Sequence, residues 1–487
     1  MANVCLIYPR DINLNFFPLG LGYVASYIKS QGHNVTFLDI KDNDFDLLDH
    51  PKVQEADIIG VSITTPQLRF AQKIFKKLKN DRPDLPIVAG GIHPSYFKQK
   101  FLEENNIDYI VYGEGEITMN ELCNAIDSKK TDMSDIRGLI YRNGDQISIN
   151  LPRELIPDLD EMPFPARELV NYDTYLQPPG LIRGVWTERS ANLSTSRGCP
   201  GRCTYCGVNY LYNKMYRRRT VDSVISEIEF MIKEHNIDSL YFMDDTFLMN
   251  TEWIEEFSDK FIAKKFNIKF SCYGRVDTVN ERILRAVKRA GCVQVEYGVE
   301  SGSVPVLKAI KKNVDINKIK DALRLTKKIG LRAQASFIFG FPDDKIENLM
   351  DTINLVADLD IDFSTAYFAT PYPASELYEQ AIKEDRIIEN DMSKWYVRAN
   401  KIWRVNLDHH TLEVYRNKFL KQVRWNNIMF FFKNPKFLFN LSIFALKNID
   451  AVYGAIKDSI KYKSFDDAGY YFYAHLTKGQ ETRNLIR

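Results

Sequence analysis

Two rhythms alternate along the first 150 residues. Short apolar, β-branched runs, VCLIYP (4–9), NVTFLDI (34–40), DIIGVSI (57–63), LPIVAGG (85–91) and DYIVYG (108–113), stop at Gly, Pro, Asp or Ser. Between them, LGYVASYIKSQG, QLRFAQKIFKKLKN, SYFKQKFLEEN and ITMNELCNAIDS carry apolar positions three and four apart. Strand-like runs separated by helical spacing predict a doubly wound parallel sheet over residues 1–136. A connector follows at 137–190. GLIYRNGDQISIN (138–150) predicts a hairpin about Asn143-Gly144, and PDLDEMPFPARELV is proline-rich. Its last part, 171–190, bridges two α/β regions and is expected near the active site.

The alternation resumes over 191–388. Strands are predicted at NLSTS (192–196), SLYFMD (239–244), IKFSCYG (268–274), VQVEYGV (293–299), QASFIFG (334–340) and DFSTAYF (362–368), with helical patterns between them. These are six βα units, and chemistry in such folds clusters at the carboxyl ends of the strands. Beyond 389 glycine thins out, aromatics rise and helical spacing dominates. Residues 389–487 are therefore expected to form a small helical domain. Its aromatic stretch, NIMFFFKNPKFLFNLSIFALK (427–447), is interrupted by Asn434-Pro435 and carries lysines, so no spanning helix is predicted. A capping bundle whose aromatics face the barrel is favoured over binding of an apolar substrate or contact with a membrane surface, because apolar helical stripes usually mean core.

Length and composition sharpen this picture. A chain of 487 residues exceeds one core, and 45% hydrophobic with 26% charged residues is ordinary globular composition. A net charge of +1 gives no electrostatic footprint for nucleic acid. The N-terminal MANVCLIYPRD begins a strand and does not read as a signal peptide. Seven cysteines, three of them in one loop, argue against a secreted disulfide framework, so a cytoplasmic protein is expected.

That loop is TSRGCPGRCTYCGVN, with Cys199, Cys203 and Cys206 spaced C-x3-C-x2-C. Three thiolates suit a 4Fe–4S cluster that keeps one iron open, since closed clusters take four cysteines. Structural zinc is the alternative, but zinc loops usually come as two CxxC-type pairs. Cys5, Cys123, Cys272 and Cys292 lie in apolar contexts elsewhere.

The loop resembles that of radical S-adenosylmethionine (SAM) enzymes, and Tyr205 before the last cysteine fits the same family. The resemblance implies a partial (β/α)6 barrel, SAM bound at the open iron, and anaerobic chemistry through a 5′-deoxyadenosyl radical. It implies SAM contacts at strand ends. Asp244 and Asp245 are candidates for the SAM amino group, or else caps for the following helix. Arg275 is a candidate for the SAM carboxylate, or else a surface ion pair. Glu300 and Ser301 in YGVESGS match the family's SAM-contacting element, and Ser336 is a further candidate. GFPDD (340–344) matches the family's G-x-P turn with Asp where Glu is frequent. Tyr367, Tyr372 and Pro373 read either as substrate or corrin contacts or as packing.

In the N-terminal sheet the loops at the strand carboxyl ends are PLGLG, SITTPQ, GGIHPS and GEGE. Together they resemble the cobalamin-binding domain that precedes some radical SAM barrels. The resemblance implies corrin contacts at Leu19, Gly20, Ser62, Thr64, Thr65, Gly90, Gly91, His93, Gly113, Glu114, Gly115 and Glu116. A nucleotide-binding or cofactor-free sheet is the alternative, although no G-x-G-x-x-G follows the first strand. No D-x-H-x-x-G is present, so His93 is read as a rim or hydrogen-bonding residue rather than a cobalt ligand, as in relatives that bind cobalamin with its base displaced.

The implied cofactors are a 4Fe–4S cluster, SAM and cobalamin. The implied activity is methylation of an unactivated carbon of a small or apolar substrate, by way of methylcobalamin and the adenosyl radical, with an electron donor such as flavodoxin or ferredoxin. Cyclisation, ring contraction or another rearrangement with the same cofactors is the alternative. A methylthiotransferase is disfavoured because Cys5 and Cys123 are too few for a second cluster. A non-catalytic cobalamin or redox sensor is a further alternative, against which the intact cysteine loop speaks.

Overall fold

A computed structural model of the chain describes residues 1–10, 16–41, 45–177, 181–182, 184–359, 361–396, 401–433 and 435–461. The N-terminal sheet runs β1 (Asn3–Pro9), β2 (Asn34–Ile40), β3 (Ile58–Ser62), β4 (Ile87–Gly90), β5 (Tyr109–Val111), β6 (Leu139–Asn143) and β7 (Gln146–Ile149), in the order β2-β1-β3-β4-β5-β6-β7. The first five strands are parallel, as a βα alternation demands. In β1, Val4 and Leu6 face one apolar layer and Cys5 and Ile7 the other, so the sheet is buried on both sides. The hairpin expected in the connector is instead the antiparallel edge of this sheet, β6 pairing with β5.

The second sheet holds β8 (Ser190–Leu193), then the short antiparallel pair β9 (Ser196–Arg197) and β10 (Arg217–Arg218) outside it, then β11 (Ser239–Phe242), β12 (Lys269–Gly274), β13 (Cys292–Glu300), β14 (Arg332–Phe339) and β15 (Phe363–Phe368). Its order, β15-β14-β13-β12-β11-β8, is parallel throughout, which is the expected six-stranded partial barrel. Aromatic packing fixes its outer face: Phe242, Phe247, Phe257 and Phe270 form one interlocked group against the helix Thr251–Ala263.

The C-terminal helix His409–Phe432 closes the free edge. Phe419 is fully buried, with ring centroids 5.0 Å from Phe337 and 5.4 Å from Phe339. Asn427 holds both backbone groups of Ser364 at 3.0 and 3.1 Å, and Arg416 donates to the Ala366 carbonyl at 3.0 Å, so the edge strand has no open ladder there.

The end of the connector departs from expectation. Glu188 N–H bonds Asp238, which precedes β11, and Arg332 at the start of β14 donates to the Gly184 carbonyl at 3.2 Å. Residues 184–189 therefore run under the amino ends of the strands, opposite the expected active-site edge. Tyr172 and Tyr175, earlier in the connector, instead pack edge-on against Phe17 between the two sheets.

Candidate active site

The cysteine loop is fixed from several sides. Gly198 has φ +88°, and a Cβ there would stand 2.0 Å from the Met215 carbonyl oxygen, so only glycine lets the chain enter this turn. Asp245 accepts from Gly198 N–H at 3.2 Å, and the Asn209 amide donates to the Gly201 carbonyl at 2.7 Å. Thr204 N–H bonds the Ile310 carbonyl at 3.0 Å, and its own carbonyl accepts from Leu377 N–H at 2.8 Å.

Cys199, Cys203 and Cys206 are free and half-buried. Burial pushes the Cys206 thiol up to about 11. Burial also raises Cys199, opposed by the Gly201 N–H at 3.4 Å and the nearby Arg275 guanidinium. A coordinated metal deprotonates such thiols outright. Among the described residues no three His, Cys, Asp or Glu side chains converge as ligands of a single ion. Three thiols carried on one loop fit a 4Fe–4S cluster, which gives each thiol its own iron and leaves one iron open.

The strand-end candidates gather around this loop. Asp244 is buried, and its Oδ1 accepts from Thr195 N–H at 3.0 Å, Thr195 Oγ1 at 2.7 Å and Ser196 Oγ, while Oδ2 has no protein partner. Burial first, then the Asp244 charge, raise Asp245 to about 6. Asp244 Oδ2 is thus buried without a protein partner, and neither carboxylate caps the 251–263 helix, which Asn250 caps. Arg275 is forked onto Asp277 at 3.0 and 2.8 Å. Its remaining nitrogen faces the cluster loop, 2.7 Å from where a Cβ on Gly201 would stand.

Glu300 sits at a bulge in β13 with φ +70° and accepts from Tyr205 OH at 2.9 Å and Lys312 Nζ at 2.8 Å. Strain in a non-glycine residue at a strand end is the kind of feature that marks functional sites. Ser301 turns away: its Oγ meets Thr352 Oγ1 at 3.2 Å and accepts from Ser303 N–H, so it supports the loop from behind. Ser336 lies on the inner face of β14, 3.5 Å from the Tyr297 carbonyl. That inner face is polar, a feature not read from the sequence. Gln294 donates to Glu296 at 2.9 Å, Gln334 donates to Glu296 at 3.1 Å, and Tyr241 OH donates to Tyr273 OH at 2.9 Å.

The carboxyl edges of the two sheets meet at this loop. Gly207, next to Cys206, leaves room for Ile92, whose Cδ1 lies 3.0 Å from a Cβ built there. Tyr210 OH donates to the Ser95 carbonyl at 2.9 Å, and the Tyr96 and Tyr210 rings pack at 5.5 Å. Asn192 on β8 holds the backbone of Phe17 at 2.9 and 3.1 Å. Arg197, two residues before Cys199, bonds Glu114 at 2.8 Å and Glu116 at 2.7 Å, and Arg217 bonds both oxygens of Glu114 at 2.8 Å. Burial would raise the Glu114 pKa, yet Arg217 and Arg197 outweigh it and hold the carboxylate low.

The corrin candidates divide accordingly. Leu19, Gly20, Ser62, Thr64 and Gly113 reach the open edge; nothing lies within 4 Å of a Cβ built on Gly20 or Gly113. Gly90 and Gly115 have only ordinary packing distances, 3.7 and 3.4 Å. Gly91, at φ +95°, lets the chain cross β3, where a Cβ would stand 2.7 Å from the Ile63 carbonyl oxygen. The Glu114 and Glu116 side chains are engaged with the barrel rather than directed to a corrin. Thr65 and His93 face inward, Oγ1 to Nδ1 at 3.0 Å, and His93 packs against Phe97 and Phe101. Burial lowers His93 to about 4. Its role as a hydrogen-bonding strut agrees with the missing D-x-H-x-x-G.

The family model described as the B12 binding domain matches residues 9–123, and the Radical SAM superfamily model matches residues 193–356. These matches bear out the expected pairing of a corrin-binding sheet with a radical SAM barrel. An uncharacterised methyltransferase of Pyrococcus horikoshii is 34% identical over 400 residues, covering 81% of this chain and 84% of that one. An anaerobic magnesium-protoporphyrin IX monomethyl ester cyclase of Rubrivivax gelatinosus is 28% identical, covering 76% and 67%. Among solved structures, the radical SAM methyltransferase TsrM of Kitasatospora setae, with cobalamin and a [4Fe-4S] cluster bound, superposes with a TM-score of 0.64 at 19% identity, covering 79% of this chain and 75% of that one. That likeness concerns the fold.

Proposed function

Since the chain belongs to the radical SAM proteins that carry an N-terminal B12-binding domain, we propose that it is a cobalamin-dependent radical SAM methyltransferase acting on an unactivated carbon of a small or apolar substrate. Cys199, Cys203 and Cys206 hold the cluster. Asp244, Asp245, Tyr205 and Glu300 shape the SAM side of the site. Leu19, Gly20, Ser62, Thr64, Gly90 and Gly113 offer the edge on which a corrin lies. When bound, the cluster with SAM supplies a hydrogen-abstracting radical and the corrin carries the methyl group.

One observation carries the reading: the loops expected to touch the corrin abut the loop that holds the cysteines, at Ile92–Gly207, Ser95–Tyr210 and Glu114–Arg197. Methyl transfer to a carbon radical needs both cofactors to open into one water-poor space. This chain's residues contribute orientation, through the Glu114 ion pairs and Phe17–Asn192, and exclusion of water, through Phe16 and Tyr96 along the seam. The electron comes from a low-potential donor such as flavodoxin or ferredoxin.

The test uses SAM labelled in its methyl group, with the anaerobically reconstituted enzyme and a library of apolar small molecules. Labelled carbon in product, alongside 5′-deoxyadenosine, is expected. Product formed with 5′-deoxyadenosine but without label would instead favour cyclisation, the reading supported by likeness to the Rubrivivax cyclase.

A further inference from the structure

The C-terminal helices carry their apolar residues on the wrong side for a packed bundle. In His409–Phe432, Leu412, Phe419 and Val423 are buried on one face, while Trp425 (67% exposed) and Phe432 (62%) lie on the opposite one with Ile428. In Pro435–Lys447 only Phe437 is buried, and Phe439, Ile443 and Leu446 form an exposed stripe at i, i+4, i+7. In Ile449–Lys461, Ala451, Ala455 and Ser459 face inward, and Ile449, Tyr453, Ile456 and Ile460 repeat the outward stripe. Ten of the 23 large apolar side chains exposed among the described residues fall between Trp425 and Ile460. Scattered exposure is normal, but three successive helical stripes are not.

Charge selects the partner. Lys433, Lys436, Lys447 and Lys457 are exposed around these stripes. Between residues 432 and 461 there are five lysines and two aspartates, a local excess of +3 in a chain whose total is +1. Large apolar side chains bordered by lysines are the signature of a helix lying in the interface of an anionic bilayer. No helix among the described residues is long and apolar enough to cross a membrane. We propose that helices Pro435–Lys447 and Ile449–Lys461, with the end of the preceding helix, form a docking surface for an anionic lipid bilayer. Phe437 and Phe444 of the first helix pack on Trp186, close to the connector under the amino ends of the barrel strands. The surface thus holds the enzyme from the side away from its cofactor seam, and binding leaves the site open to substrate.

The experiment is flotation of the full chain, carrying its reconstituted cofactors, with vesicles of phosphatidylcholine alone and of phosphatidylcholine mixed with phosphatidylglycerol. Binding to the mixed vesicles, weakened by salt, is expected. The triple variant Lys436→Gln, Lys447→Gln, Lys457→Gln should partition on the order of a hundredfold more weakly, since each lysine near such a surface contributes roughly fivefold. The triple variant Phe439→Ser, Leu446→Ser, Tyr453→Ser should not float, while retaining cluster and SAM cleavage like the parent. Failure of the parent chain to float overturns the proposal. Light scattering then separates a dimer joined through this face from a monomer whose face is covered by residues 462–487. Undiminished flotation of the apolar variant overturns it too, by placing lipid binding elsewhere.

Discussion

Single side chains carry sharply different duties here. Cys206→Ala should remove the broad cluster absorption and reduce 5′-deoxyadenosine formation to background while corrin retention stays at the parental level. Loss of both cofactors would mean that the loop serves folding rather than ligation. His93 makes a pH prediction with a definite sign. Its folded pKa is about 4 against an unfolded value of about 6.5, so the imidazole stays neutral in the fold. The folded state is at no disadvantage above pH 6.5 and loses stability as pH falls from 6.5 towards 4, by up to about 3 kcal/mol. His93→Gln keeps a donor near Thr65 and should flatten that part of the urea-midpoint profile. An unchanged profile would mean that His93 is accessible to protons in the native protein. The cysteine spacing and Glu300 were legible in the sequence because their chemistry is local. Ser301 was not: its neighbour Glu300 lies at φ +70° beside a strand bulge, and the Ser301 side chain meets Thr352 on a distant helix, which no strand-end pattern reveals.

At the scale of elements, apolar runs located the five parallel strands of the first sheet and the six of the second, with β8 read two residues late, because a strand buried on both faces has little choice of composition. The hairpin was legible as a hairpin, but its docking on β5 depends on pairing across the sheet. The same limit hid the ion pairs of the seam. GEGE reads as a glycine-rich cofactor loop, and only its partners, Arg197 and Arg217, show that its carboxylates join two domains; the run Arg217–Arg219 was the available signal. The Glu114 side chain is 6% exposed, and Arg217 7%. Glu114→Gln leaves the Arg217 guanidinium without its carboxylate at low dielectric, while Arg197 keeps Glu116, and should cost about 3–5 kcal/mol in unfolding free energy. It should also raise the yield of 5′-deoxyadenosine relative to methylated product, because the two edges lose their registration. Unchanged stability and unchanged coupling would reduce these contacts to incidental surface pairs. Phe419→Ala, which empties the contact between the C-terminal helix and β14, should cost about 3–5 kcal/mol by denaturant titration, without altering the cofactor spectra of the folded fraction.

For the molecule as a whole, the parallel strands of two sheets present their carboxyl edges to one seam, and the cysteine loop lies in it. The two-sheet plan and the barrel could be read from the alternation of strand and helix, whereas the facing of the sheets rests on long-range contacts such as Phe17–Asn192 that no local pattern encodes. The course of residues 184–189 beneath the barrel escaped for the same reason. The account stands or falls on both cofactors sharing this chain. The most direct measurement is anaerobic reconstitution with iron, sulfide and hydroxocobalamin, followed by desalting and an absorption spectrum. The account predicts a broad cluster absorption together with about one equivalent of retained corrin in its base-off form and without histidine ligation, since His93 is turned inward onto Thr65. Cluster without retained corrin would contradict it, leaving a radical SAM enzyme whose N-terminal sheet serves only as a scaffold.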